Sequence, residues 1–342
     1  MKKNNNLDIL NYRNDGLSIE VKKYPTDSKL VFSIVIPYYD TFDTINETLD
    51  SIATQTFNLK KVEVIIVSDG AKISIDNLVK PYQKKFGNFK LIKKANGNWG
   101  SVINFVKNNK MIHGDYFTIL DSDDKFEPQC LNMFAKYINE GNNKVDVLTS
   151  QFYFWRAKIN KKQKRKIYCL SKTHFFSRIN DNFFKTAYSF PLCKFYRTQL
   201  FYANHFQLLE NCSFQDVCLY YEMKKVCHSW QFINEYLGCY RCDRDNSSSN
   251  EQWSNKKLLW WKQTIEYLSN QESGCVARFY FLANHFIKHY RKFVNHQQNS
   301  DEWKIALKKK YDTSYLPRKY KLIIKTFLFF IVFFNKKIIK LI

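Results

Sequence analysis

Residues 116–124 read Tyr-Phe-Thr-Ile-Leu-Asp-Ser-Asp-Asp, and this stretch decides the fold. The first five residues are apolar or β-branched, the mark of a short buried strand, and they run straight into three carboxylates within four positions. Like charges this close repel unless a cation or hydrogen bonds hold them. Hard divalent metals take oxygen ligands, and magnesium or manganese typically binds through one or two carboxylates plus substrate phosphates. A solvated turn capping the next helix is the plainer reading of an isolated Asp-x-Asp-Asp, since Asp is favoured there. The strand–turn context favours a site.

The pattern upstream supports that reading. Residues 30–37 (LVFSIVIP) form a short apolar run ended by proline, and residues 62–67 (VEVIIV) form another, stopped by Ser68-Asp69-Gly70. Residues 89–92 give a third strand and 145–150 a fifth. Helices are predicted between them: from Thr44, with capping-box spacing to Glu47, to about Thr56; over 77–86; over 100–109; and after Pro128, with Leu131, Phe134 and Ile138 as the apolar stripe. Strands alternating with helices predict an α/β fold, a Rossmann-like, mostly parallel, doubly wound sheet. Ligands bind such sheets outside the carboxyl ends of the strands. Tyr38-Tyr39-Asp40, Ser68-Asp69-Gly70 and the acidic run 121–124 all fall at such ends and are expected to converge.

Composition narrows the partners. The chain has 342 residues, 45% hydrophobic and 25% charged, which excludes wholesale disorder, a collagen-like chain and a multi-pass membrane protein. Its 54 Lys and Arg against 31 Asp and Glu give a net charge of +23, which calls for nucleic acid, an anionic membrane face or phosphorylated substrates. The basic residues are dispersed and no zinc-finger or RNP signature occurs, so nucleic acid is not expected as a partner. Nine Cys at irregular spacing suit a reduced cytosolic compartment, and the single pair Cys239 and Cys242 lacks the second half of a zinc site. Residues 1–6 are basic and polar with no apolar segment after them, so no signal peptide is expected.

Residues 1–29 read as an irregular lead-in and 158–166 (KINKKQKRK) as a solvated loop or hairpin. Residues 251–342 read as a helical, basic and aromatic C-terminal region. Its tail, 318–342, holds an apolar core of eight residues, 327–334, bracketed by Lys325 and Lys336-Lys337. A spanning helix needs about twenty apolar residues. An in-plane anchor on anionic lipid fits better, ahead of a helix docked on the protein's own core or one stretched across the bilayer by snorkelling lysines. The expected location is the cytosolic face of the cell membrane, peripherally bound.

The stretches FSIVIPYYD (32–40), TINETLDSIATQTF (44–57), VEVIIVSDG (62–70), LDSDD (120–124), YRTQLF (196–201), FQDVCLYYEM (214–223) and YRCDRDNSSS (240–249), taken in order, resemble the family 2 glycosyltransferases of GT-A fold. The resemblance covers about 30–250, with 30–150 as the nucleotide-sugar half and 151–250 as the acceptor half. It implies that Pro37 and Tyr39 border the nucleotide base and that Asp69 accepts from the uracil or ribose. It implies that Asp123, with Asp121 or Asp124, holds Mn²⁺ or Mg²⁺, and that Asp216 is the catalytic base of an inverting transfer. The expected donor is a nucleotide-sugar, a UDP-sugar first, and the acceptor a lipid-linked saccharide or glycolipid in cell-surface polysaccharide or glycolipid synthesis. The expected rivals are a basic nucleic-acid-binding protein and an inactive membrane-bound scaffold on the same fold.

The sequence departs from that family in having Ser68-Asp69-Gly70 where Asp-Asp-Gly is common and Gln215-Asp216 where Glu-Asp is common. No Arg-Trp pair occurs, so the signature of processive members is absent and one sugar per encounter is expected. Asn98 and Trp99, in the turn 96–101 (NGNWGS), are candidate walls of the donor pocket; an ordinary strand-to-helix turn is the equal alternative. Arg241 and Arg244 read either as phosphate ligands or as solvated surface arginines.

Overall fold

The computed structural model describes residues 29–140, 145–164 and 190–245, the backbones of two strands before them, and scattered positions between 254 and 267. The chain divides into two compact units, Met1–Gln252 and Trp253–Ile342. The C-terminal tail and residues 246–250 lie outside the described residues. Among those residues, no helix is long and apolar enough to cross a membrane.

The sequence reading of an irregular lead-in is corrected by β1 (Asp8–Asn14) and β2 (Leu17–Lys23), which pair antiparallel from Asp8↔Lys23 to Asn14↔Leu17. The signal was present: Leu17, Ile19 and Val21 alternate with polar residues, and Asp-Gly between the strands favours a tight hairpin.

The main sheet begins with four parallel strands. β3 (Phe32–Tyr38) lies between β4 (Val62–Asp69) and β6 (Tyr116–Ile119), with β5 (Asn88–Lys94) beyond β4. All eight residues of β4 are buried, as expected of a strand covered on both faces, and this is why its sequence is a continuous apolar run. The connecting helices are α1 (Phe42–Ala53), α2 (Asp76–Gln83) and α3 (Asn98–Asn108). α1 turns Ile45, Leu49 and Ile52 into the core.

α1 starts two residues before the predicted capping box. Thr44 sits inside the first turn and donates to Ser122 O at 3.0 Å, while Glu47 pairs with Arg241 at 2.9 Å. Tertiary partners have claimed both side chains from a local cap. After the acidic loop come β7 (Lys125–Phe126) and α4 (Cys130–Glu140), which begins two residues beyond Pro128.

The rest of the sheet is mixed. β8 (Val147–Arg156) and β10 (Lys194–Arg197) run antiparallel to each other, and β10 joins β6 antiparallel. β11 (Trp230–Arg241) lies parallel to β8 and antiparallel to β7. The basic run forms a hairpin, with β9 (Lys161–Gln163) antiparallel to β8. The strand order is β5-β4-β3-β6-β10-β8-β11-β7, with β9 on β8. Phe195 of β10 knits the two halves: its ring centroid is 5.2 Å from Phe32 and 4.2 Å from Phe134. Two further helices of the first unit are α5 (Thr198–Ala203) and α6 (Gln215–Val226).

Candidate active site

The three polar strand ends do meet. Tyr38 donates its hydroxyl to Ile73 O at 3.1 Å, and Asp40, at a left-handed φ of 48°, accepts from Lys72 N at 2.9 Å. The end of β3 is thereby tied to the loop after β4. Pro37 is half-buried at that end and Tyr39 is exposed.

Asp69 ends β4 and is buried. Its carboxylate accepts from Lys94 Nζ at 2.5 Å, Gly97 N at 3.1 Å and Ser101 Oγ at 3.3 Å. Asn96 Nδ2 adds a bond to its carbonyl at 2.8 Å. Asp69 thus builds the turn that launches α3. Gly97 is the helix N-cap, and Asn98, at φ 67°, takes the left-handed conformation that Asn tolerates better than most residues.

The acidic loop is held along its whole backbone. Thr44 Oγ1, Arg241 Nε and Thr48 Oγ1 donate to the successive carbonyls of Ser122, Asp123 and Asp124 at 3.0, 2.9 and 2.8 Å. Thr41 and Ser122 share a hydroxyl–hydroxyl bond of 2.6 Å. This scaffold separates the carboxylates by role. Asp124 turns inward and accepts from Arg241 N at 2.8 Å. Asp121 accepts from Trp99 Nε1 at 3.0 Å, and Asp123 forms an ion pair with Arg244, Nε to Oδ2 3.0 Å.

Charge crowding is strong here. Burial pushes the Asp121 carboxyl up to about 7, the charges of Asp123 and then Asp216 add to this, and Trp99 and Arg244 oppose it. Burial, then Asp123 and Asp121, also raise Asp124 well above the usual range. Asp216 lies in the first turn of α6, close enough to be felt at Asp121. Among the described residues no three His, Cys, Asp or Glu side chains form a ready-made metal cluster. The donor set that does exist, two crowded carboxylates opposed by one arginine, suits a hard divalent cation whose remaining ligands come from substrate oxygens.

Asp216 reaches this position through α3. Asn104 Nδ2 donates to Leu208 O and Asn104 Oδ1 accepts from Leu208 N, both at 2.9 Å. Asn98 Nδ2 reaches Cys212 O at 3.1 Å, Asn211 N reaches Gly97 O at 2.8 Å, and Gln215 Nε2 reaches Leu209 O at 3.1 Å. The loop 204–214 is laced to the helix that also carries Trp99. Asp216 follows directly, after Phe214 at a left-handed φ of 70°.

Of the two sequence readings of Arg241, burial overturns the solvated surface arginine. Arg241 is buried, bonded to the acidic loop, and stacked with its guanidinium carbon 4.2 Å from the Trp155 ring centre. Nothing local distinguishes it from Arg244, because its partners lie on α1, β8 and the acidic loop. Cys239 and Cys242 make separate contacts, Cys239 Sγ to Glu127 Oε1 at 2.9 Å and Cys242 Sγ to Tyr240 O at 3.5 Å.

A parallel α/β half, an Asp-x-Asp-Asp loop at its switch point and a second mixed half carrying a helix-borne Asp define a GT-A glycosyltransferase. The match to known proteins agrees: residues 33–203 fit the model of glycosyl transferase family 2, and the chain belongs to that family. The uncharacterized glycosyltransferase MG025 of Mycoplasma genitalium is 32% identical over 266 residues, 78% of this chain and 86% of that protein. The minor teichoic acid biosynthesis protein GgaB of Bacillus subtilis is 22% identical over 75% of this chain but only 29% of its own length. Among solved structures, residues 1–349 of S. aureus TarS in complex with UDP-GlcNAc share the fold, with a TM-score of 0.59 at 18% identity, covering 77% of this chain and 73% of that one.

Proposed function

We propose that this transferase moves one sugar at a time from a UDP-sugar, with inversion, to a saccharide or lipid-linked acceptor at a membrane surface, in the synthesis of a cell-surface polymer or glycolipid. The observation that carries the proposal is the meeting, at one end of the sheet, of the crowded pair Asp121 and Asp123 with Asp216. TarS, bound to UDP-GlcNAc, and the teichoic acid protein GgaB support the donor and acceptor classes.

In this reading Asp123 and Asp121 hold Mn²⁺ or Mg²⁺, while Asp124 shapes the loop. A cation bound there would supply Lewis-acid stabilisation of the departing diphosphate. Asp216 takes the proton from the acceptor hydroxyl as its oxygen attacks the anomeric carbon, and the bond to the diphosphate breaks with its electron pair leaving on the nucleotide. Arg244 exchanges Asp123 for the diphosphate when the donor arrives. Pro37 and Tyr39 border the base, and Trp99 and Asn98 line the sugar side. The basic tail 318–342 keeps the enzyme peripherally on the cytosolic leaflet.

Thermal unfolding in the presence of UDP-, GDP- and ADP-sugars, with Mn²⁺, Mg²⁺ or chelator, tests the donor and the metal together through binding linkage. A rise in Tm with a UDP-sugar that disappears in chelator is expected. Equal stabilisation in chelator would refute the metal, and stabilisation by another nucleotide class alone would refute the donor.

A further inference from the structure

We propose that Arg241 is a positioning residue for Asp123, held by Glu47 and Trp155, and is not itself a ligand of the donor. The inference rests on reading Asp123 as the carboxylate that meets the donor complex.

Arg241 ends β11 and is only 7% exposed. Its backbone N–H donates to Asp124 Oδ1 at 2.8 Å and its Nε to Asp123 O at 2.9 Å. Its Nη2 lies 2.9 Å from Glu47 Oε1 on α1, an ion pair whose alignment is poor for a hydrogen bond. The guanidinium lies over Trp155 of β8, whose ring also carries Lys125 Nζ at 3.6 Å from its centre. One side chain therefore joins α1, β8, β11 and the acidic loop.

The consequence for Asp123 is geometric. Three successive carbonyls of the loop have side-chain donors, and those at Ser122 and Asp124 come from threonines of the same helix. Only the middle one, that of Asp123, depends on a residue from the far half of the sheet. Fixing that carbonyl fixes the peptide plane from which the Asp123 side chain projects. Arg244, three residues on, meets the Asp123 carboxylate instead. The two arginines thus do separate work: Arg241 sets the loop, and Arg244 answers its charge. Lysine cannot replace Arg241, because a single ammonium cannot reach the carbonyl and Glu47 while lying flat on an indole.

Amide hydrogen exchange on full-length Arg241→Lys and Glu47→Gln, with wild type as control, reads the positioning role without any ligand. Glu47 is half exposed, so its variant keeps the fold even where an arginine variant unfolds. Exchange over residues 120–126 is expected to rise at least tenfold in Arg241→Lys and severalfold in Glu47→Gln, while β4 stays at the wild-type rate. Affinity for UDP with Mn²⁺ is expected to fall at least tenfold in Arg241→Lys. Unchanged exchange over 120–126 in both variants, or a rise shared equally by β4, overturns the inference. If wild type itself fails to bind UDP with Mn²⁺, the donor reading fails, and the exchange rates still decide the role of Arg241.

Discussion

Trp99 Nε1 donates to Asp121 Oδ1 across 3.0 Å, joining the first turn of α3 to the acidic loop at the centre of the site. The same helix anchors the loop that leads to Asp216, so a single element relates the donor-side acids to the base. Asp121 is buried among like charges, and this indole is the hydrogen bond that eases its ionisation.

Trp99→Phe keeps a ring in place but removes the N–H. A hydrogen bond to a charged group is worth roughly 1.5–3 kcal/mol, so donor affinity or turnover is expected to fall by about tenfold to a hundredfold. Steady-state kinetics with the donor identified by thermal shift will separate the KM and kcat contributions. An unchanged kcat/KM would show that the bond has no part in catalysis.

Asp216→Asn and Asp123→Asn are each expected to lower kcat by at least about a hundredfold, the scale on which general acid–base groups act. Both relieve charge crowding, so the Tm of the metal-free protein should not fall. Only Asp123→Asn should also weaken the dependence of stability on added Mn²⁺. Full transfer activity in both variants would remove the proposed mechanism.

Gly100→Ala tests how α3 positions the base. A methyl group there would lie 2.2 Å from Leu209 O and 3.1 Å from Gln215 Cγ, so the loop before α6 must move. Overpacking of this kind costs about 1–3 kcal/mol, measurable by denaturant unfolding. Because the displaced loop leads to Asp216, kcat should fall by more than donor affinity does.

Far from the site, Glu63 is fully buried and accepts from Lys90 Nζ at 2.7 Å, Asn88 Nδ2 at 2.7 Å, Ser33 Oγ at 2.5 Å and His113 N at 2.8 Å. Burial alone would raise its pKa, but the side-chain hydrogen bond with His113 Nδ1, 2.9 Å from Oε1, and the charge and bond of Lys90 bring it from 4.5 down to about 2. A carboxylate depressed in this way contributes stability that is present above pH 4.5 and is lost as pH falls toward 2. Lys90→Met strands the charge and is expected to destabilise the protein by about 3–5 kcal/mol at pH 7. The gap from wild type should narrow as pH falls through that window, which thermal unfolding across pH will report.

Much of the architecture was legible. The buried runs at β3, β4 and β6 could be read as strands because parallel strands covered on both faces carry continuous apolar sequence. The acidic loop stood out because three carboxylates directly after such a run are rare without a task. The capping box at Thr44 and Glu47 misled, since both side chains serve the acidic loop and Arg241 instead of the helix end. The alternation of Leu17, Ile19 and Val21 marks β2 of the hairpin that stands where an irregular lead-in was expected.

The sequence by itself determined the order of strands and helices and the place where the acids cluster, because periodicity and local charge are properties of neighbouring residues. Only the tertiary structure decided what each acid does. Asp69 is engaged by Lys94, Gly97 and Ser101, Asp124 by the Arg241 backbone, and Asp121 by Trp99, while Asp123 meets Arg244. All of these partners lie some twenty to over a hundred residues away along the chain. A hydrogen bond requires about 3 Å of spatial proximity and has no period in sequence, so folding alone assigns it.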